Sequence, residues 1–122
     1  MVEFSAKEGH IELILKAVMM GNDLCLLLTG GASHIGAVCV GSECMANVAF
    51  PYHRENYLNH DLSEILRKKW NANYVIVSGI HFDEITKEEI DLVRKMAVSL
   101  IEQVLISEMI LTNDKSGTDI TL

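Results

Sequence analysis

The sequence contains little proline, few charged residues and no long apolar run, and each shortage excludes a class of protein. One proline among 122 residues, with 22% charged and 49% hydrophobic residues, excludes a largely disordered chain. The longest apolar runs, such as Leu24–Leu28, are too short to cross a bilayer, and no basic-then-apolar signal opens the chain. The formal net charge of −7 argues against a general affinity for nucleic acid or anionic lipid.

The cysteines are three in number and form no CxxC pair. Cys25 and Cys39 lie inside apolar runs, where we expect small buried hydrophobic residues. A disulfide between Cys39 and Cys44 across a tight turn is the alternative, but a chain that starts without a leader indicates a reducing compartment. We therefore expect a cytoplasmic protein.

The pattern that is present is that of one small α+β domain over residues 1–122. A mean hydropathy of +0.22 indicates that a partner, such as a second copy, covers some apolar surface. In the first half, short apolar runs with tight glycine turns predict an antiparallel sheet. The predicted strands are Val2–Ala6, Ile11–Met20, Leu24–Thr29, Ile35–Val40, Cys44–Phe50 and a central strand at Tyr74–Ile80.

Two helices are predicted in the second half of the chain. The first follows Pro51 and has one apolar face. That face is formed by Leu58, Leu62, Ile65 and Leu66. Thr86–Glu89 is a capping box that begins the second helix, with Ile85 and Ile90 as its hydrophobic staple. A polar tail over residues 112–122 is predicted to fray.

The glycine loop Thr29–Gly36 is the first candidate for function. Gly30 and Gly31 can adopt positive φ and leave backbone N–H groups open to a ligand. This arrangement suits an anion or a flat ring, whereas the alternative favoured by spacing alone is a simple hairpin turn. The loop is neither GxGxxG nor a Walker loop, so the usual nucleotide motifs are absent.

Two further segments carry polar side chains at the ends of predicted elements. His53 and Arg54 lie at or just before a helix N-terminus, where free N–H groups and the dipole favour an anion such as phosphate. A solvated helix start is the equal alternative. His81, Phe82 and Asp83 lie between a strand and the second helix, where a structural histidine is the usual alternative.

Histidines in these three segments, His34, His53 and His81, also resemble a catalytic zinc set. Their spacing has no HxH or HExxH signature, and no Ser-His-Asp or Cys-His order accompanies them. We therefore expect no bound metal and no catalysis by the chain itself. A small metal-dependent hydrolase using these histidines, and a protein-assembly chaperone without a small ligand, stay as alternative functions.

The chain resembles the prenylated-flavin chaperone-like family, whose type member is the small D subunit associated with gallate decarboxylase. The matching segments are Leu28–Val38, Pro51–Glu55, Val77–Asp83 and Ile85–Ile90. The family pattern is roughly a T-G-G-x-x-H-I-G loop, a P-G-H-K-E/D segment and a G-I-H-x-D segment, and the resemblance covers about residues 11–105. Tyr52 stands where the family more often has glycine, and Arg54 stands where it has lysine.

This resemblance implies an antiparallel sheet of about five or six strands with two helices, similar to the small proteasome-assembly chaperones, and a tendency to form a homodimer. It implies a non-catalytic protein that binds prenylated flavin mononucleotide, or FMN, and carries or protects it for a partner decarboxylase. The positions that match the pattern are Gly30, Gly31, His34, His53, His81 and Asp83. We expect the phosphate at the Gly30–Gly31 backbone or at His53 and Arg54. We expect Tyr52 and Phe82 to stack on the ring system.

Overall fold

The computed structural model describes residues 1–42 and 46–114, and for residues 108–114 it describes the backbone alone. Its elements in chain order are β1 Val2–Glu8, β2 Ile11–Met20, β3 Asp23–Gly31, β4 Ala37–Gly41, β5 Ala46–Ala49, α1 Glu55–Lys69, β6 Tyr74–His81 and α2 Lys87–Asp114. The predicted α+β class, with about six strands and two helices, is confirmed. Cys44, and with it the alternative disulfide, lies outside the described residues.

The six strands form one sheet in the order β1-β2-β3-β6-β4-β5. Four of the five pairings are antiparallel, as predicted, but β3 and β6 run parallel, so the sheet is mixed. The physical reason is that the chain crosses over through α1 and inserts β6 between β3 and β4. The prediction of a central strand at Tyr74–Ile80 is confirmed, since β6 has a neighbour on each side.

The insertion of β6 changes the structural interpretation of the glycine loop Thr29–Gly36. Because β3 and β4 are separated by β6, the loop between them is not a hairpin turn and instead crosses the end of β6. The N–H of Ala32 donates to the His81 carbonyl at 3.2 Å, and the N–H of Gly36 donates to the Ser78 carbonyl at 2.8 Å. These two bonds hold the loop against the strand end.

Both helices pack on one face of the sheet and bury its apolar side chains. The core is built from alternate strand residues such as Leu13, Leu15, Leu26 and Leu28, together with Leu62 of α1 and several residues of α2. Alternation along the strands places a second apolar set on the opposite face. These side chains, here called the open face, are half-buried or exposed: Ile14, Val18, Cys25, Leu27, Val38, Val40, Val48, Val75 and Val77.

Helix α2 begins as the sequence predicts. The Glu89 N–H donates to Oγ1 of Thr86 at 3.1 Å, and the Thr86 N–H donates to Oε1 of Glu89 at 3.0 Å, which is a reciprocal capping box. The helix continues to Asp114, past the start of the predicted frayed tail, and residues 115–122 lie outside the described part. In residues 1–42 and 46–114, neither helix is long and apolar enough to cross a membrane.

Candidate functional site

A cleft of about 580 Å³ opens between the start of α1, the end of β6 and the start of α2. This α1–α2 cleft has the size of ordinary small-molecule sites, which lie between about 300 and 1,000 Å³. Its lining residues are Tyr52, His53, Arg54, Glu55, Tyr57, Leu58, Asp61, Ile80, His81, Phe82, Ile85, Ile90, Asp91, Val93 and Arg94. Loops and helix ends therefore form the site, held by a rigid sheet.

The walls of the α1–α2 cleft are apolar. They are formed by Leu58, Ile80, Phe82, Ile85, Ile90 and Val93. Ile90 is 53% exposed and Tyr57 is 70% exposed, so apolar and aromatic surface faces solvent at this position. Large exposed apolar residues grouped around a concavity are typical of a binding surface.

Cationic and acidic side chains share the same cleft. Nε of Arg94 donates to Oδ2 of Asp61 at 2.8 Å, which joins α2 to α1 by an ion pair. His81 Nε2 lies 3.0 Å from Oδ1 of Asp83, and both side chains are mostly exposed. With Arg54 and His53 also lining the cleft, it presents several donors that suit an anionic group.

Glu55 is the most constrained ionisable residue of the site, although the sequence alone indicates no role for it. Its side chain is 10% exposed. One carboxylate oxygen accepts a hydrogen bond from the Ile80 N–H at 3.2 Å, and the other accepts one from the Arg54 N–H at 3.1 Å. The carboxylate thus occupies the N-terminal end of α1, where the helix dipole favours negative charge.

Two histidines converge on that carboxylate. Nε2 of His34 lies 2.7 Å from Oε2 of Glu55, and Nδ1 of His53 lies 3.5 Å from Oε1. The two imidazole rings are neighbours, with centroids 4.7 Å apart and planes inclined by 33°. Three segments of the chain, the glycine loop, the turn before α1 and α1 itself, therefore meet at one point.

These contacts shift two pKa values in opposite directions. The pKa of His34 lies above its usual value, and the largest cause is the hydrogen bond to the Ala32 carbonyl. Burial lowers this pKa, whereas the contact with Glu55 raises it further. Burial alone raises the pKa of Glu55, but hydrogen bonds from backbone N–H groups and from His34 outweigh burial and hold that pKa below its usual value. A charged Glu55 next to a readily protonated His34 is the expected state near neutral pH.

The glycines act by leaving room rather than by contacting the cleft. A Cβ on Gly36 would lie 1.8 Å from Oε2 of Glu55, and a Cβ on Gly79 would lie 1.7 Å from the His34 carbonyl oxygen. Gly31, at φ +67°, meets the backbone of His81 in the same way. Only glycine fits where the loop, the strand end and the Glu55 carboxylate approach so closely.

Tyr52 adopts φ +67°, a left-handed conformation that favours glycine. Its side chain is fully exposed at the edge of the cleft. The family pattern has glycine here more often, and the backbone geometry gives the physical reason for that preference. The ring at this position is therefore held at a conformational cost of about 1 kcal/mol.

The predicted site residues separate into two groups. The α1–α2 cleft brings together Tyr52, His53, Arg54, His81 and Phe82. The other predicted residues, Gly30, Gly31, His34 and Asp83, do not line it. Gly30 packs instead against Leu13 and Phe82, while His34 reaches the site through Glu55 and His53.

Several lining residues were missed from the sequence. On α1 they are Glu55, Tyr57, Leu58 and Asp61, and on α2 they are Ile90, Asp91, Val93 and Arg94. Their spacing of three and four residues after each helix start places them on one helical face, which is the signal that could have identified them. That signal does not show that the two faces oppose each other.

Similarity to known proteins extends over most of the chain. The family model described as the prenylated flavin chaperone LpdD-like domain matches residues 7–109. Protein LpdD of Lactiplantibacillus plantarum is 26% identical over 113 residues, which cover 86% of this chain and 83% of that protein. A chain from the crystal structure of a novel chaperone complex for yeast 20S proteasome assembly is similar over 96% of this chain and 100% of its own, with a TM-score of 0.44 and 11% identity. The family resemblance stated from four sequence segments is confirmed.

Proposed function

The chain belongs to the prenylated flavin chaperone LpdD-like family, and we propose that it binds prenylated flavin mononucleotide in the α1–α2 cleft. In this proposal the protein carries or protects the flavin for a partner decarboxylase and catalyses no reaction itself. The observation that carries the proposal is the cleft, which combines apolar walls with cationic side chains in a family of chaperone-like proteins.

The apolar walls fit a flat ring system with a prenyl-derived substituent. Ile80, Ile85 and Ile90 offer aliphatic surface, and Phe82 offers an aromatic ring that can stack on a flavin. Such a pocket removes a reduced flavin from bulk solvent and from dissolved oxygen. Protection of this kind needs burial and no catalytic group.

For the phosphate we assign Arg54 and Arg94, supported by His53 and His81. The Gly30–Gly31 backbone is a weaker candidate, because Gly30 is buried against Phe82 and neither glycine lines the cleft. The N-terminal end of α1 is also disfavoured, because the Glu55 carboxylate already accepts hydrogen bonds there and repels a second anion.

We also propose that the protein forms a homodimer through the open face of the sheet. This face places Leu27, Val77 and Val38 side by side on β3, β6 and β4, whereas charged side chains such as Lys16 and Glu3 lie beyond them on β2 and β1. Pairing two such faces buries apolar surface in the way that packed β-sheets do.

The flavin proposal is tested by anaerobic titration of the protein with reduced prenylated flavin mononucleotide, followed by absorbance and calorimetry. We expect saturable binding that weakens at least about tenfold in Arg54→Gln and in Ile90→Ser. Arg67→Gln is the matched control, because Arg67 is an exposed arginine of α1 outside the cleft, and it should bind normally. Absence of binding by the folded protein, or equal weakening in Arg67→Gln, would refute the proposal.

A further inference from the structure

The His34, His53 and Glu55 side chains form a set of ligand atoms that carries a second inference. One atom from each residue lies within 4.8 Å of the other two. Ligand atoms bound to a tetrahedral zinc at about 2.0–2.2 Å lie roughly 3.3–3.6 Å apart, so side-chain adjustments of up to about 1.5 Å bring all three atoms onto one ion. Among the side chains that the structure describes, His81 is not part of this set.

The hydrogen bonds around His34 prepare it for a metal ion. Its Nδ1–H donates to the Ala32 carbonyl at 2.8 Å, and a carbonyl cannot donate in return, so Nδ1 carries the proton in the neutral ring. Nε2 then presents its lone pair towards Glu55. A ligating histidine almost always donates its other ring N–H to a carbonyl or carboxylate, which fixes the tautomer and the ring orientation.

Charge also favours a cation at this point. Two imidazoles face one carboxylate, and one carboxylate can balance only one protonated ring. A divalent ion in their place satisfies both imidazole lone pairs and the carboxylate together. Because Gly36 has no side chain, the Glu55 carboxylate can lie directly against its backbone and stay beside both rings.

The types of donor select the class of ion. Two imidazole nitrogens with one carboxylate oxygen suit zinc and its first-row neighbours, whereas magnesium and calcium prefer oxygen ligands alone. Three protein ligands leave a position for water or a ligand, as in zinc sites that exchange a bound molecule. His53 and Glu55 line the α1–α2 cleft, so such an ion would adjoin the cleft.

We infer that His34, His53 and Glu55 bind one divalent transition-metal ion of the zinc class, through Nε2, Nδ1 and a carboxylate oxygen respectively. This site goes beyond flavin binding and does not depend on it. It also differs from a three-histidine site, because the carboxylate takes the place of His81.

The test uses the full chain, purified without an affinity tag and stripped with a chelator. Calorimetric titration with zinc chloride alone should show saturable binding of one ion per chain, and magnesium chloride should show none. His53→Gln and Glu55→Gln should each weaken zinc binding at least about tenfold. His60→Gln, which alters an exposed histidine of α1, and His81→Gln should leave the affinity within about twofold.

A second measurement avoids the risk that a variant unfolds. In the unaltered protein, zinc should shift the imidazole NMR signals of His34 and His53 and leave that of His60 in place. Absence of saturable zinc binding, affinity unchanged in His53→Gln, or dependence on His81 would each overturn the inference. Because the probe is zinc without flavin, its failure leaves the flavin proposal untouched.

Discussion

Replacement of Glu55 by alanine tests whether one buried carboxylate joins three segments of the chain. The carboxylate accepts hydrogen bonds from the N–H groups of Ile80 and Arg54 and contacts His34 at 2.7 Å. Alanine removes all three contacts and opens space beside Gly36. We expect the glycine loop, the end of β6 and the start of α1 to lose their common anchor.

The magnitude follows from what each donor does after the change. A hydrogen bond to a charged group contributes about 1.5–3 kcal/mol, and a buried donor left without a partner costs about 1–3 kcal/mol. The Arg54 N–H and His34, whose side chain is 26% exposed, regain water, whereas the Ile80 N–H does so poorly. We therefore expect Glu55→Ala to lower the free energy of unfolding by about 3 kcal/mol, and Glu55→Gln to lower it by about 1–2 kcal/mol.

The pH dependence of this loss has a definite sign in metal-free protein. The pKa of Glu55 is lowered, so its stabilising contribution is present above the unfolded value near 4.3 and is lost as the pH falls through the folded pKa. The pKa of His34 is raised, so its contribution is complete below about 6.5 and is lost as the pH rises through the folded pKa. The Ala32 carbonyl is the largest cause of that rise and Glu55 adds to it, so only the part due to Glu55 is lost in Glu55→Ala, and the difference from wild type should be largest at about pH 5–6.5.

Urea denaturation in the presence of a chelator, followed by circular dichroism at several pH values from about 5 to 8, measures these differences. Glu64→Ala is the matched control, because Glu64 is a more exposed glutamate of the same helix, with 42% side-chain exposure against 10% for Glu55. It should change stability by no more than about 0.5 kcal/mol. A loss below about 1 kcal/mol in Glu55→Ala, or a loss that is the same at pH 5.5 and pH 8, would refute the reasoning.

Three other changes test separate parts of the molecule. Tyr52→Gly removes the strain of the positive φ, so urea denaturation should show a free energy of unfolding higher by up to about 1 kcal/mol. Flavin binding should weaken in titration, because the aromatic ring is lost. Equal stability of Tyr52→Gly and Tyr52→Ala would contradict the proposed strain. Thr86→Ala removes the side-chain half of the capping box and should cost about 1 kcal/mol by the same assay, with Ser99→Ala, an exposed mid-helix change, as control. Val77→Lys places a charge at the centre of the open face. If the proposed homodimer uses this face, sedimentation should show a dimer for wild type and a monomer for the variant; a dimer in both would place the interface elsewhere.

The two helices and the start of α2 could be predicted from the sequence because their signals are local, whereas α2 continues past the predicted start of the tail. Thr86 and Glu89 are three residues apart, and the capping box that they form needs no other part of the chain. The central strand was also predictable, because Tyr74–Ile80 is continuously apolar, as is typical of a strand buried between neighbours.

The parallel pairing of β3 with β6 could not be predicted from such local signals. Tight glycine turns on either side of Leu24–Val40 favour a meander, and an antiparallel meander fits the hydrophobic pattern equally well. Only the crossover through α1, which brings a later strand between two earlier ones, decides the order. Strand order therefore depends on contacts between distant residues, and the hydrophobic periodicity of the sequence does not indicate that order.

The same limit explains why the surroundings of the glycine loop could not be predicted. The sequence presents Gly30 and Gly31 as open backbone for a ligand, but β6 ends directly beneath them and fills that space with the backbone of His81 and the ring of Phe82. Glu55, which lies inside a matched family segment, has no visible role until Gly36 and the Ile80 N–H are placed around it.

Glu55 also changes how charge is distributed at the start of α1. A helix N-terminus attracts anions, which is why the sequence predicts a phosphate at His53 and Arg54. The protein supplies its own anion at this point, and a phosphate brought to the same N–H groups would face the Glu55 carboxylate at close range. The electrostatics therefore direct the phosphate towards the arginine side chains of the cleft and leave the carboxylate to a cation, either a protonated His34 or a metal ion. Two neutral imidazoles, one carboxylate and a divalent ion together carry one positive charge, so an ion bound here would make this edge of the cleft attractive to an anion.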